Sequence, residues 1–69
     1  MRITLKAARV TREKSQADMA TVIGVERTYY GKLEKEPGRL TVEQARKLCI
    51  ALEVRPEDII GLDLHSITK

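Results

Sequence analysis

The stretch of residues 16–35, QADMATVIGVERTYYGKLEK, constrains this 69-residue chain more than any other. Met19, Ala20 and Ile23 recur at helical spacing, and Tyr30 and Leu33 resume it further on. Gly24 lies between the two runs, where a glycine can enter the left-handed region that ends a helix. Val25 then tucks into the angle, and Ala20, one turn ahead of the glycine, is small enough for a second helix to cross closely. The spacing predicts a helix over Gln16–Ile23 and another from Glu26 or Arg27 to Lys35, joined by a tight turn.

That arrangement is a helix-turn-helix motif, and the remaining residues supply the helices that would brace it. Ile3, Leu5 and Ala8 form a short apolar stripe with basic residues between them, which predicts a first helix over residues 4–12. Nothing in Glu13-Lys14 stops it cleanly, so the helix can run further. Ser15 is a good N-cap for the second helix, and Asp18 suits its first turn. Glu26 is a weaker cap for the third. Adjacent residues sit about 100° apart around a helix, so Tyr29 and Tyr30 cannot both face the core. Tyr30, one turn from Leu33, is the core candidate, and Tyr29 is left at the outer edge.

Glu36-Pro37-Gly38 breaks the chain. Thr41 and Gln44 fit a capping box that opens a fourth helix, with Ala45, Leu48, Cys49 and Leu52 as its buried stripe. Cys49 reads as a small core residue, since no base in the sequence stands near it to activate a thiol. Pro56, followed by Glu57 and Asp58, predicts a fifth short helix over residues 56–60 that Gly61 ends. The last eight residues, LDLHSITK, fit either a short strand pairing with a second copy or a frayed end.

Composition narrows the function. The chain is 42% apolar and 33% charged, as a soluble globular domain is, and it contains no Phe or Trp. Leu, Ile, Val and Ala must therefore build a small core. The formal charge of +3 is uneven: Arg2, Lys6, Arg9, Arg12 and Lys14 stand against Glu13 alone in residues 1–16, which suits a polyanion. A single cysteine excludes an intramolecular disulfide, and with a single histidine, His65, it leaves no plausible zinc site. No metal or cofactor is expected. The N-terminus is too short and polar for a signal sequence, and no apolar run approaches the roughly 20 residues that span a bilayer, so a cytoplasmic location is expected by default. No carboxylate pair, His–nucleophile arrangement or phosphate loop points to an enzyme.

LKAAR at 5–9, SQADMATVIGV at 15–25, Tyr30-x-x-Leu33-Glu34, the apolar run 48–54 and PEDII at 56–60 occur in that order in one small domain. This ordered set resembles the Cro/C1-type (XRE) helix-turn-helix regulators. The resemblance implies an all-α, five-helix, lambda-repressor-like domain over residues 1–61, with a tail of residues 62–69 as a possible strand or dimer contact. It departs from the family at Glu13-Lys14, where members often carry a glycine and an apolar residue. It also implies DNA contacts at Gln16, Arg27, Thr28 and Lys32, and an ion pair between Arg9 and Glu34 joining the first and third helices.

A helix-turn-helix lays its second helix in the major groove. Counting from Gly24, the outward positions are Arg27, Thr28, Gly31 and Lys32. Arg27 and Lys32 can donate to guanine O6 and N7, and Thr28 can bond a base edge or touch a thymine methyl. Gly31 would let the backbone approach DNA closely. Gln16, Tyr29, Lys35 and Arg39 are the candidate phosphate contacts, and Glu26 would oppose them. The expected function is a sequence-specific regulator of transcription, a phage-repressor or Cro-like homodimer on double-stranded DNA, with no small-molecule ligand. Two alternatives stand beside it: a DNA-binding antitoxin that also holds a toxin, and a protein-interaction module that reuses the fold without DNA.

Overall fold

The computed structural model describes residues 2–62. Four helices follow one another: α1 (Leu5–Thr11), α2 (Gln16–Ile23), α3 (Arg27–Lys35) and α4 (Val42–Leu52). Two single 3-10 turns, Pro37–Arg39 and Pro56–Asp58, precede and follow α4. The helix starts are set by side chains: Thr4, Ser15 and Thr41 each accept from the backbone N–H three residues on. Ser15 with Asp18 and Thr41 with Gln44 complete capping boxes.

α1, α2 and α4 end in the same way. At each, a left-handed residue follows, directly after α2 and α4 and one residue later, beyond Arg12, after α1, and the next N–H reaches back five residues: Lys14 to Arg9, Val25 to Ala20 and Val54 to Cys49. This is the Schellman ending, which satisfies carbonyls that the helix leaves open. Gly24 occupies the left-handed position after α2, but Glu13 and Glu53 occupy it after α1 and α4, both at φ 57°. The first helix therefore stops at Thr11 and does not run on through Glu13-Lys14. Arg12 stitches two of these corners together: its Nε donates to the Leu52 carbonyl at 3.1 Å, and its guanidinium pairs with Glu53 at 3.4 Å.

The expected fifth helix is absent. Pro56–Asp58 makes one 3-10 turn, and Ile59 then becomes extended at φ −93°, ψ 121°. The reason is a pairing with the chain start: Ile3 and Ile59 form a parallel bridge, with Ile3 N–H donating to Asp58 O and Ile60 N–H donating to Ile3 O. Ile59 is fully buried there, a position that a continued helix would surrender. Leu62 is also part of the core, so it is not free to hold a second copy. The rest of the tail expected as a strand or dimer contact, residues 63–69, lies outside the described residues.

One core joins the helices. Tyr30 and Leu33 of α3 meet Met19 and Ala20 of α2, Leu5 and Ala8 of α1, and the α4 stripe of Ala45, Leu48, Cys49 and Leu52. Burial raises the Cys49 thiol above its ordinary pKa, with the Glu57 charge adding to it, which keeps the thiol protonated and inert. Within this apolar shell lies one charged cluster. Arg9 Nε donates to Glu34 Oε2 at 2.7 Å and Nη2 to Oε1 at 3.3 Å, a bidentate pair joining α1 to α3. Arg9 Nη1 donates to the Lys14 carbonyl at 2.8 Å, which ties the same guanidinium to the α1 corner. Tyr30 Oη donates to Glu34 Oε2 at 2.9 Å and Gln16 Nε2 to Oε1 at 3.1 Å. Removing one member of such a pair costs about 3–5 kcal/mol, because the other charge is left buried and alone.

The protonation states follow from this packing. Burial alone would raise the Glu34 pKa, but the bonds from Arg9, Gln16 and Tyr30 outweigh it and hold the carboxyl below its usual value. Burial, aided by the adjacent Glu34 charge, pushes the Tyr30 phenol well above its ordinary value, so it remains a donor. A depressed carboxyl pKa in the folded state stabilises the fold above the unfolded value and loses that contribution as pH falls through the folded value.

Two outcomes are expected. Glu13→Gly relieves a left-handed glutamate and should raise stability by about 0.5–1 kcal/mol in a urea melt; an unchanged or lower midpoint would mean that the corner carries no strain. Stability should decline below about pH 4, and Glu34→Gln should show a shallower decline over that range. Asp18, lowered by its backbone bond to Ser15, contributes with the same sign, so part of the slope should remain. Parallel acid profiles for the two proteins would contradict the role given to Glu34.

Candidate nucleic-acid interface

The outward side of α3 is built by default from the residues its buried side rejects. Tyr30 and Leu33 turn inward, and Arg27, Thr28, Lys32 and Lys35 are exposed. The turn at Gly24 brings the start of α2 beside this surface. Gln16, Arg27, Thr28, Gly31, Lys32 and Lys35 together line one open depression of about 330 Å³. Its lining holds three cationic side chains, two polar ones and a glycine, with no carboxylate.

Two of the expected contacts lie apart from it. Tyr29 is about half exposed, on the far edge of α3 from the core. Arg39 sits on the 3-10 turn after α3, where it pairs with Glu36 at 3.1 Å; such exposed pairs are worth little, so it remains exchangeable.

Gly31 has no packing reason to be a glycine. A Cβ built there meets only the Gln16 amide, at 3.7 Å, an ordinary contact. Its backbone is helical, with no positive φ to require glycine. The residue thus gives up about 1 kcal/mol of helix propensity relative to Ala at the floor of the depression. Glu26, at the N-cap of α3, makes no side-chain bond to the helix, so the first α3 amides lack the partner that Ser15 and Thr41 supply elsewhere.

The least foreseeable feature is the link between the two helix starts. Arg27 Nη1 donates to Gln16 Oε1 at 3.3 Å. The two residues are 11 apart, and each opens its helix, so the turn sets them side by side. The signal in the sequence was positional: a Gln and an Arg, each at the first helical residue on either side of Gly24.

A helix-turn-helix family model of the Cro/C1 (XRE) type matches residues 5–59. The chain belongs to this family. Neither a curated protein nor a solved structure matches it. The Cro/C1-type domain is a DNA-binding fold rather than an enzyme, and membership implies DNA binding in the service of transcriptional regulation. Among the described residues no group of His, Cys, Asp and Glu is placed to hold a metal ion. No helix among them is long and apolar enough to cross a membrane.

The open Gly31 gives the surface a direct test. Gly31→Ala should raise stability by about 0.5–1 kcal/mol, since the new methyl has room and the helix gains propensity. A stability loss on thermal melting would mean that the space above Gly31 is needed by the fold itself.

Proposed function

We propose that the protein is a sequence-specific regulator of transcription that binds double-stranded DNA with α3 in the major groove and acts as a Cro-like or phage-repressor-like repressor. The observation that carries this reading is the depression between α2 and α3, where Arg27, Lys32 and Lys35 converge without an opposing carboxylate. An α-helix with its side chains is about 10–12 Å across, which a major groove roughly 12 Å wide admits. Arg27 and Thr28, near the start of α3, fall where such helices meet base edges. Lys32 is a second donor to bases, and Gly31 lets the helix backbone approach them.

Lys35 and Gln16, at the ends of the depression's lining, and Tyr29, apart from it on α3, would hold phosphates. Arg39 would exchange Glu36 for a phosphate. Phosphate contacts position the protein, and base contacts choose the sequence. A homodimer on two half-sites about one helical turn apart follows from the usual symmetry of such sites.

Two kinds of substitution should separate readers from holders. Arg27→Ala should abolish preference at one base pair in a binding-site selection, a loss of about 1–3 kcal/mol of discrimination. Lys35→Ala should weaken all sequences alike and make the dependence of log K on log salt shallower by about one unit. An unchanged selected sequence for Arg27→Ala would remove Arg27, and with it this placement of α3.

A further inference from the structure

The geometry points to Glu34 as a positioning residue for Arg27, acting through the Gln16 side chain. This rests on the reading of α3 as the DNA-facing helix. Glu34 joins α1 to α3, but its Oε1 also accepts from Gln16 Nε2 at 3.1 Å. A carboxylate can only accept, so it determines which way the Gln16 amide turns: nitrogen inward, oxygen outward. That oxygen accepts from Arg27 Nη1 at 3.3 Å. A relay thus runs from the buried pair to the first residue of the reading helix.

The inner end of the relay cannot turn. Oε2 of Glu34 is held by Arg9 Nε and by the Tyr30 hydroxyl, and Oε1 also faces Arg9 Nη2. The Glu34 side chain is 5% exposed. The outer end is an arginine on the surface, which without a partner would sample many rotamers. Holding Nη1 on Gln16 leaves Nε and Nη2 to meet a base, and restricts the side chain before DNA arrives, which favours affinity at that position. The amide polarity also selects a donor at position 27. With its oxygen turned outward, Gln16 suits an Arg there and opposes an acid.

A purely structural Glu34 would affect every DNA sequence through the amount of folded protein. A positioning Glu34 affects one base pair. In Glu34→Gln the new amide can donate to Gln16, which frees the Gln16 amide to turn over. Gln16→Met breaks the relay at its middle and leaves Arg9, Glu34 and Tyr30 in place, so it serves should Glu34→Gln fail to fold.

The experiment has two arms. In the DNA-free protein, the ¹⁵N heteronuclear NOE of the Arg27 side chain, assigned with Arg27→Lys, should be higher than that of the exposed Arg46 and should fall in both variants. On DNA, both variants should lose roughly three- to tenfold discrimination at the base pair that Arg27→Ala identifies, the range expected for one hydrogen bond, with other positions unchanged. An Arg27 NOE that matches Arg46 in the wild type, or a loss spread evenly over all base pairs, would overturn the proposal. A wild-type protein with no base preference would overturn the DNA reading and the role of Arg27 in it, whereas the NOE arm alone still decides whether the relay exists.

Discussion

A single carboxylate, that of Glu34, is placed between three helices and receives hydrogen bonds from all of them: Arg9 of α1, Gln16 of α2 and Tyr30 of its own α3. Burying such a group carries a desolvation cost that only these partners offset, so the helices must meet in one arrangement for it to be tolerated. Apolar packing alone would allow small slides of α3 against its neighbours, since Leu, Met and Ala contacts are non-directional. The bidentate Arg9 pair is directional. It adds a directed tie between α1 and α3 to the apolar fit that turns Tyr30 and Leu33 inward.

The surface follows from that constraint. With Tyr30 and Leu33 held inward, Arg27, Thr28, Lys32 and Lys35 are turned outward around Gly31. Gln16 belongs to both regions, as a half-buried residue whose nitrogen meets Glu34 and whose oxygen meets Arg27. Fold and site are therefore not separate layers here. A change at the centre of the charged cluster reaches the outward face through a single amide.

Much of the frame was legible in the sequence. Gly24 and its flanking stripes located α2 and α3, Ser15 and Thr41 marked helix starts, and Tyr30 was separable from Tyr29 by helical angle alone. What was not legible has physical reasons. Glu13 and Glu53 end helices in the left-handed conformation that glycine usually marks, so the residue type hid the stop after α1. The residues 56–60 carry good helix-start signals, yet Ile59 gains more from burial and from bridging Ile3 than from another helical turn. That pairing is between residues 56 apart, and no local pattern announces it. The residues of the depression were legible as types and spacing, but the bond between Gln16 and Arg27 depends on the crossing of two helices.

With α3 in the major groove of DNA, as proposed, its outward face meets guanine N7. A methylation-interference footprint on a selected operator tests it most directly, because methylating guanine N7 changes the major groove and leaves minor-groove edges and phosphates intact. N7 methylation of a guanine in each half-site should abolish binding, with the two sites about one helical turn apart. Binding indifferent to every N7 methyl group would contradict it.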